Sequence, residues 1–531
     1  MSELDMNGAE AILRTLIDND VRVCFGNPGT SEMQFVAALE RHPEMHGVLC
    51  LFEGDATGAA DGYARMTGRP AATLLHLGPG LGNGLANLHN ARRAGSPVLN
   101  LVGDHAAGHK PLDALLDSDI DAVAATVSAW VHRPEHPSAV GHDVTAALAA
   151  TLGGPADEHT TGTSGRVATL IVPADVSWSG GGRAAPALPP PAPPGTAVTA
   201  GAVTKVLTGD EPVALLLDGD ALTDAGLRAA DRIAQATGAR LFCPTWPARL
   251  RRGAGVPAVT PLAYRGEDVR RQFDGIRHVV LAGPRTPVAS FAYPGREGAL
   301  IPAGIDEHVL APEFTPVADT LHEIADLIAA GVAPRGASAG VPAVADGSLT
   351  TVNWAPVVAA ALPDNAVVCD ESITAGLVNL AASFAGAPAH DALGLVGLAV
   401  GQGLPLAAGV AIACPGRPVV CLEADGSAMY TISALWIYAR ENLDVTVVIL
   451  NNRSYAILRA ELDRVGAGDP TGRARRMIDL SGPGLDFVAL SQGMGVPATR
   501  ARTVRELREQ FAAAVAAPGP HLIDAILEDP A

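Results

Sequence analysis

Residues 423–455 read EADGSAMYTISALWIYARENLDVTVVILNNRSY, and the run just before them, 417–422, reads RPVVCL. The apolar run spells a buried strand that ends on Asp425-Gly426-Ser427. A helical pattern follows, and then a second buried run, 445–450, ends on Asn451-Asn452. Asp425 and Asn452 therefore stand at the carboxyl ends of two strands, one crossover apart. In an open parallel sheet that edge is where ligands bind. A carboxylate, an amide oxygen and a nearby main-chain carbonyl, assigned to Ser454, make a half-shell of hard oxygens. Such a shell suits Mg²⁺, which keeps water and takes its other ligands from phosphates. An isolated Asp-Gly-Ser is ordinary turn chemistry; the Asn-Asn pair after one crossover sets this one apart.

Length and composition bound the setting. At 531 residues the chain exceeds one core, and about three domains is the natural division. With 48% hydrophobic and 18% charged residues, its composition is that of a soluble globular protein. No apolar run is long enough to span a bilayer, and the acidic, amphipathic start reads as a first helix rather than a signal peptide. The six cysteines are scattered, without a CxxC pair, which points to reduced core residues and a cytoplasmic protein. A net charge of −19 argues against nucleic acid or an anionic membrane surface as partner.

The fold class expected is α/β, with three doubly wound parallel-sheet domains at 1–182, 197–338 and 339–531. A proline-rich, semi-rigid linker is expected over 183–196. In the first domain, Ala9, Ile12, Leu13 and Leu16 line a helical face, and 21–25 spells a strand. The turn Gly26-Asn27-Pro28-Gly29 leads into Ser31-Glu32-Met33-Gln34, a capping-box spelling. Strand 48–52 delivers Glu53 to a small-residue helix. Strand 71–75 delivers His76 to a glycine loop, 78–84, and strand 98–102 ends on Gly103-Asp104-His105. Repeated βα units imply a parallel sheet covered on both faces. The glycine loop does not have dinucleotide-fingerprint spacing. Residues 395–413 spell a buried, glycine-rich helix.

Several of these segments together resemble thiamine-diphosphate (ThDP) enzymes. Asp425-Gly426-Ser427 with Asn451-Asn452 is similar to the Gly-Asp-Gly…Asn-Asn motif of that family, Ala424 replacing the first glycine. The resemblance makes Asp425, Asn452 and the Ser454 carbonyl the Mg²⁺ ligands. It places Gly426, Ser427, Tyr455 and Thr374 on the diphosphate side, and Asn27, Pro28 and Gly29 also at the cofactor. Val400 would be the wedge that bends ThDP, and the Leu398 carbonyl would meet its 4′-amino group. FEGDATGAADGYAR, 52–65, resembles the pyrimidine-binding segment of ThDP decarboxylases and acetolactate synthases. That makes Glu53 the acid that shares a proton with the pyrimidine ring, a role suited to a buried carboxyl.

His76, in LLHLGPGLGN, resembles the active-site histidine of benzoylformate decarboxylase, whereas acetolactate synthases typically have none there. The following Gly-Pro-Gly and Asn83 look more like the synthase. A second histidine expected in the middle domain has no match, since ASFAYPG, 289–295, offers Ser290 and Phe291. The resemblance covers essentially the whole chain and is closest to acetolactate synthase large subunit-like proteins. It implies decarboxylation of a 2-oxoacid with transfer of the acyl anion equivalent to a carbonyl acceptor. The alternatives are a simple decarboxylase that releases an aldehyde, and a non-catalytic ThDP-binding partner subunit. It further implies a homodimer or homotetramer whose sites lie between subunits, and leaves open whether the central domain holds FAD.

Overall fold

The computed structural model describes residues 6–154, 157–161, 163–188 and 197–528. Eighteen strands form three sheets among them. In chain order the first six are β1 (Val23–Asn27), β2 (His46–Leu49), β3 (Ala71–Leu75), β4 (Val98–Asp104), β5 (Trp130–His132) and β6 (Val167–Pro173). They make one parallel sheet in the order β2-β1-β3-β4-β6-β5.

The next six are β7 (Val213–Leu217), β8 (Arg240–Cys243), β9 (Leu250–Arg252), β10 (Thr260–Pro261), β11 (His278–Ala282) and β12 (Asp306–Ala311). All but β9 form a second parallel sheet, β10-β8-β7-β11-β12. The last are β13 (Val367–Glu371), β14 (His390–Gly394), β15 (Val419–Ala424), β16 (Val445–Asn451), β17 (Ala498–Ala501) and β18 (His521–Ile526). The third sheet runs β17-β18-β16-β15-β13-β14-β9. Its strand β9 pairs antiparallel with β14, Arg251 opposite Asp391. The middle segment is thus stitched to the third sheet, which no local pattern foretold. The fold class is the one read from the sequence.

The inner strands β3, β4, β6, β7 and β16 are buried along their whole length. This is why they read as continuous apolar runs rather than alternating ones. The first and third sheets share one core. There the helices Glu53–Thr67 and Gly403–Ala413 cross with Ala56, Ala59 and Ala60 against Leu404, Leu406, Ala407 and Ala408. A Cβ at Gly409 would stand 1.8 Å from the Ala59 carbonyl oxygen, and one at Gly62 would stand 2.1 Å from that of Leu406. Only glycine allows backbones this close. Buried polar ties reinforce the crossing: Gln402 Nε2 donates to Asp61 (2.6 Å) and Ser433 Oγ to Asp55 (2.6 Å).

Four local expectations are corrected. The glycine segment 78–84 is not a loop; it forms the first turns of the helix Leu77–Ala94. Its glycines serve packing, since a Cβ at Gly84 would meet Thr57 at 2.8 Å and one at Gly78 would meet Ser118 at 1.8 Å. Strand β2 ends at Leu49, so Glu53 stands at a helix N-terminus after a short connection. Ser31 caps nothing; the turn is a 3₁₀ helix, Thr30–Glu32, and the Glu32 side chain reaches back to the Gly29 N–H (2.7 Å). The buried helix begins at Gly403, leaving 395–402 irregular.

Of the proline-rich segment, 183–188 is laid against the first helix, with Ala185 N–H donating to Thr15 and Leu188 N–H to Asn19. Its remainder, 189–196, lies outside the described residues. No helix among the described residues is long and apolar enough to cross a membrane. All six cysteines are free.

Candidate active site

Two groups of side chains carry the chemistry. The first gathers at the carboxyl ends of β1 and β3, where Asn27 is paired with Leu75, the residue before His76. Glu53 is 6% exposed, and Asn83 Nδ2 donates to its Oε2 at 3.0 Å. Gly80 approaches the same carboxyl, so that a Cβ there would stand 3.1 Å from Glu53 Oε1. His76 occupies the N-cap position of the helix Leu77–Ala94 without a side-chain cap bond, and its Nδ1 lies 2.9 Å from Glu32 Oε2.

The second group gathers at the ends of β13, β15 and β16. Strands β15 and β16 are neighbours, with Ala424 opposite Leu450. Asp425 is buried, its Oδ1 accepting from Gly426 N–H (2.9 Å) and its Oδ2 from Arg453 N–H (2.6 Å). Burial raises its carboxyl to about 6, against the pull of those N–H groups. Asn452 Oδ1 accepts from Ser454 N–H at 3.0 Å. Gly426 makes room for Tyr455, whose ring would stand 2.4 Å from a Cβ. A cavity of about 200 Å³ opens on Asn452 and Ser454, with Arg453, Arg459 and Arg475 on its wall.

Beside this group, Thr374 starts the helix Thr374–Ala385. The buried Glu371 carboxyl accepts from Gly401, Gln402 and Gly403 N–H at 2.6, 2.7 and 2.5 Å. Burial holds that carboxyl up at about 7 despite the three donors. Glu371 thereby ties the Thr374 turn to the segment that carries Leu398 and Val400, both half-buried.

Among the described residues no cluster of three His, Cys, Asp or Glu side chains suits a metal. A cation here must therefore draw on amide, main-chain and phosphate oxygens, and Asp425, Asn452 and Ser454 offer that mixture. One carboxylate beside two neutral oxygens fits Mg²⁺ bound together with a diphosphate.

Backbone strain marks the same places. Leu77, Ile373, Leu398 and Arg453 have φ of +50°, +45°, +59° and +57°. Each is, or directly adjoins, a residue singled out from the sequence: His76, Thr374, Leu398, and the Asn452–Ser454 pair. Bulky residues avoid this region unless the surroundings impose it, and such strain gathers at functional sites.

The sequence reading missed Asn87 and Asn90. Asn87 Nδ2 donates to Gly54 O (2.9 Å) and Gly401 O (3.2 Å). Asn90 donates to Ala399 O (2.8 Å) and accepts from Ala399 N–H (3.2 Å). These bonds hold the 397–401 segment against the first domain. Asn83, Asn87 and Asn90 stand at i, i+4 and i+7, one helical face; the signal was present but hidden by reading the glycines as a loop. No hydrogen bond or ion pair among the described residues joins the Glu53–His76 group to the Asp425–Asn452 group.

With this geometry in view, comparisons with known proteins agree. Residues 6–125 match the thiamine pyrophosphate enzyme N-terminal TPP binding domain, and 388–525 match its C-terminal TPP binding domain. The chain belongs to the thiamine pyrophosphate enzyme family. It is 56% identical over 523 residues to a Mycobacterium tuberculosis protein named "Putative acetolactate synthase large subunit IlvX", covering 98% of this chain and 99% of that one. It is 30% identical over 541 residues to benzoylformate decarboxylase of Pseudomonas aeruginosa, covering 94% and 95%. It shares its fold with a ThDP-dependent 4-hydroxybenzoylformate decarboxylase of Rhodococcus jostii, at a TM-score of 0.82 and 23% identity, covering 99% and 100%.

Proposed function

We propose that the protein is a Mg²⁺- and ThDP-dependent enzyme that decarboxylates a 2-oxoacid and passes the acyl unit to a carbonyl acceptor. The observation that carries this reading is the strand-end shell of Asp425 and Asn452, together with a buried Glu53 held by Asn83. Bound ThDP supplies the carbon nucleophile and takes up the electron pair as CO₂ leaves.

The chain's own residues bind, orient and move protons. Asp425, Asn452 and the Ser454 carbonyl hold the metal, and Gly426, Ser427, Tyr455 and Thr374 seat the diphosphate, with the Asn27–Gly29 turn at the pyrimidine end. The Leu398 carbonyl would accept from the cofactor's amino group, and Val400 would pack against it. Glu53 would hold a proton at the cofactor's pyrimidine ring nitrogen. His76 moves a proton at the substrate oxygen or the carbon that loses CO₂.

Each site takes Glu53 from one copy of the chain and Asp425 from another, in a homodimer or homotetramer. That no hydrogen bond or ion pair among the described residues joins the two groups within one chain supports this. So do Leu112, Leu115 and Leu116, large apolar side chains exposed on one loop, a feature that marks association surfaces.

Transfer is favoured over aldehyde release because the 289–295 segment brings no second histidine. Its Tyr293 instead donates to Glu461 (2.6 Å). The Glu32–His76 contact favours aldehyde release as the second reading, because it equips one histidine to deliver a proton. A panel of 2-oxoacids, each tested with ThDP and Mg²⁺ with and without an aldehyde acceptor, decides between them. The expected result is cofactor-dependent CO₂ with more ligation product than free aldehyde. Aldehyde release that ignores the acceptor, and that His76→Ala stops, would establish the second reading; no CO₂ from any donor would overturn both.

A further inference from the structure

We propose that Glu32 is a positioning residue for His76, holding its imidazole as the Nδ1–H tautomer with Nε2 free for proton transfer. The inference rests on the role proposed above for His76.

Glu32 is buried, with a side chain 2% exposed, while the His76 side chain keeps 24% of its surface open. A carboxylate accepts only, and a neutral imidazole has one donor and one acceptor nitrogen. With Nδ1 lying 2.9 Å from Glu32 Oε2, the donor is Nδ1–H and the lone pair stays on Nε2. Among the described residues Nε2 has no hydrogen-bond partner. The Gly29 N–H donates to the same Oε2 at 2.7 Å, which fixes that oxygen in place. A carboxylate that orients a histidine through Nδ1 also stays beside the imidazolium when Nε2 takes up a proton, the logic of hydrolase triads.

Two glycines clear the space for this contact. A Cβ at Gly29 would lie 2.2 Å from His76 Nδ1, and one at Gly103 would lie 1.6 Å from Glu32 Oε1. Neither glycine has positive φ, so each is required for room rather than for backbone freedom. Oε1 has no hydrogen-bond partner and borders a cavity of about 20 Å³, large enough for one water.

The other residues lining that cavity carry no charge, with Ser31 and Ser177 its polar members. Ile12, Phe35, Leu74 and Leu101 surround the carboxyl. Asp104, next to Gly103 on β4, is tied to Lys110 and Arg133. Glu53 is the other carboxyl near His76: a Cβ at Gly80 would lie 3.1 Å from Glu53 Oε1 and 3.4 Å from His76 Cβ. Burial raises the Glu32 carboxyl, and the Gly29 and His76 hydrogen bonds oppose that rise. His76 is the one side chain hydrogen-bonded to this buried acid among the described residues.

The test uses the full-length protein with ThDP and Mg²⁺. Nitrogen-15 spectra of labelled histidine, with the His76 signals assigned by their loss in His76→Ala, read the tautomer directly. The parent is expected to show protonated Nδ1 and bare Nε2, and Glu32→Ala to show a mixture. Glu32→Gln should keep the Nδ1–H form, because the Gly29 N–H holds the amide oxygen where Oε2 stood. In turnover, Glu32→Ala should lower kcat on the order of 10²-fold, the lower range of acid–base contributions, with ThDP affinity unchanged. In a His76→Ala background the same change should alter kcat within about twofold.

An Nε2–H tautomer in the parent would overturn the proposal, as would equal losses from Glu32→Ala with and without His76. Should Glu32→Ala fail to fold, the parent and Glu32→Gln spectra still decide. Should no 2-oxoacid turn over, the functional reading fails while the tautomer result stands by itself.

Discussion

At the residue scale, the two carboxyls of the site face opposite demands. In the proposed function Glu53 shares a proton with a neutral ring, and its burial against Asn83 and Gly80 suits that role. In the proposed function Asp425 stays anionic beside a cation; burial raises it to about 6 against the pull of the Gly426 and Arg453 N–H groups, and a bound metal would offset that penalty. Replacing Glu53 with Gln should leave ThDP bound while slowing exchange of its C2 proton by on the order of 10²–10⁴-fold, the span of acid–base effects. NMR of the bound cofactor measures this, and an unchanged rate would mean another group activates the ring. Asp425→Ala should weaken Mg²⁺-dependent ThDP binding by at least about tenfold, or about 1.4 kcal/mol, in calorimetry. Glu53, Asp425 and Asn452 were legible in the sequence because their local spelling is distinctive. Glu32 was legible only as a helix-start acid, because its partner His76 lies 44 residues away and nothing local joins them.

Among the elements, the Glu53–Thr67 and Gly403–Ala413 helices decide how the site is held, because their backbones touch. Gly409→Val should force them apart, costing about 1–3 kcal/mol as overpacked cores do. A fall of several degrees in Tm, with weaker ThDP binding as the 397–401 segment loosens from Asn87 and Asn90, is the expected outcome. An unchanged Tm would show that the crossing is slack. The strands were legible wherever burial made them continuous apolar runs, as in β3, β7 and β16. The glycine segment 78–84 was not. Helix propensity argues against so many glycines, and close approach to Thr57, Ser118 and Glu53 outweighs it. The antiparallel β9 was hidden for a similar reason: three residues carry no periodicity, and their partner lies far along the chain.

Over the whole molecule, the first and third domains meet across a seam that holds protonatable carboxyls. Burial raises Asp55 and Glu371 each to about 7. A carboxyl whose folded pKa lies above its unfolded value near 4 stabilises the fold fully below that value. Its contribution is lost as pH rises through about 7. Tm of the cofactor-free protein should therefore fall between pH 6 and pH 8, and the fall should be shallower in Asp55→Asn, whose amide mimics the protonated acid. Parallel Tm profiles for the two proteins would contradict this. The three-sheet plan was legible from the alternation of strand and helix signals. The expectation that Glu53 and Asp425 come from two copies rested on the family resemblance alone, because no local spelling reports how chains pack. The proposed function shares each cofactor between two copies, and mixing Glu53→Gln and Asp425→Ala proteins tests it most directly. Each variant alone should be nearly inactive, and after subunit exchange the mixture should regain ThDP-dependent CO₂ release, since some sites then pair two intact halves. No regain despite proven exchange would contradict the shared site.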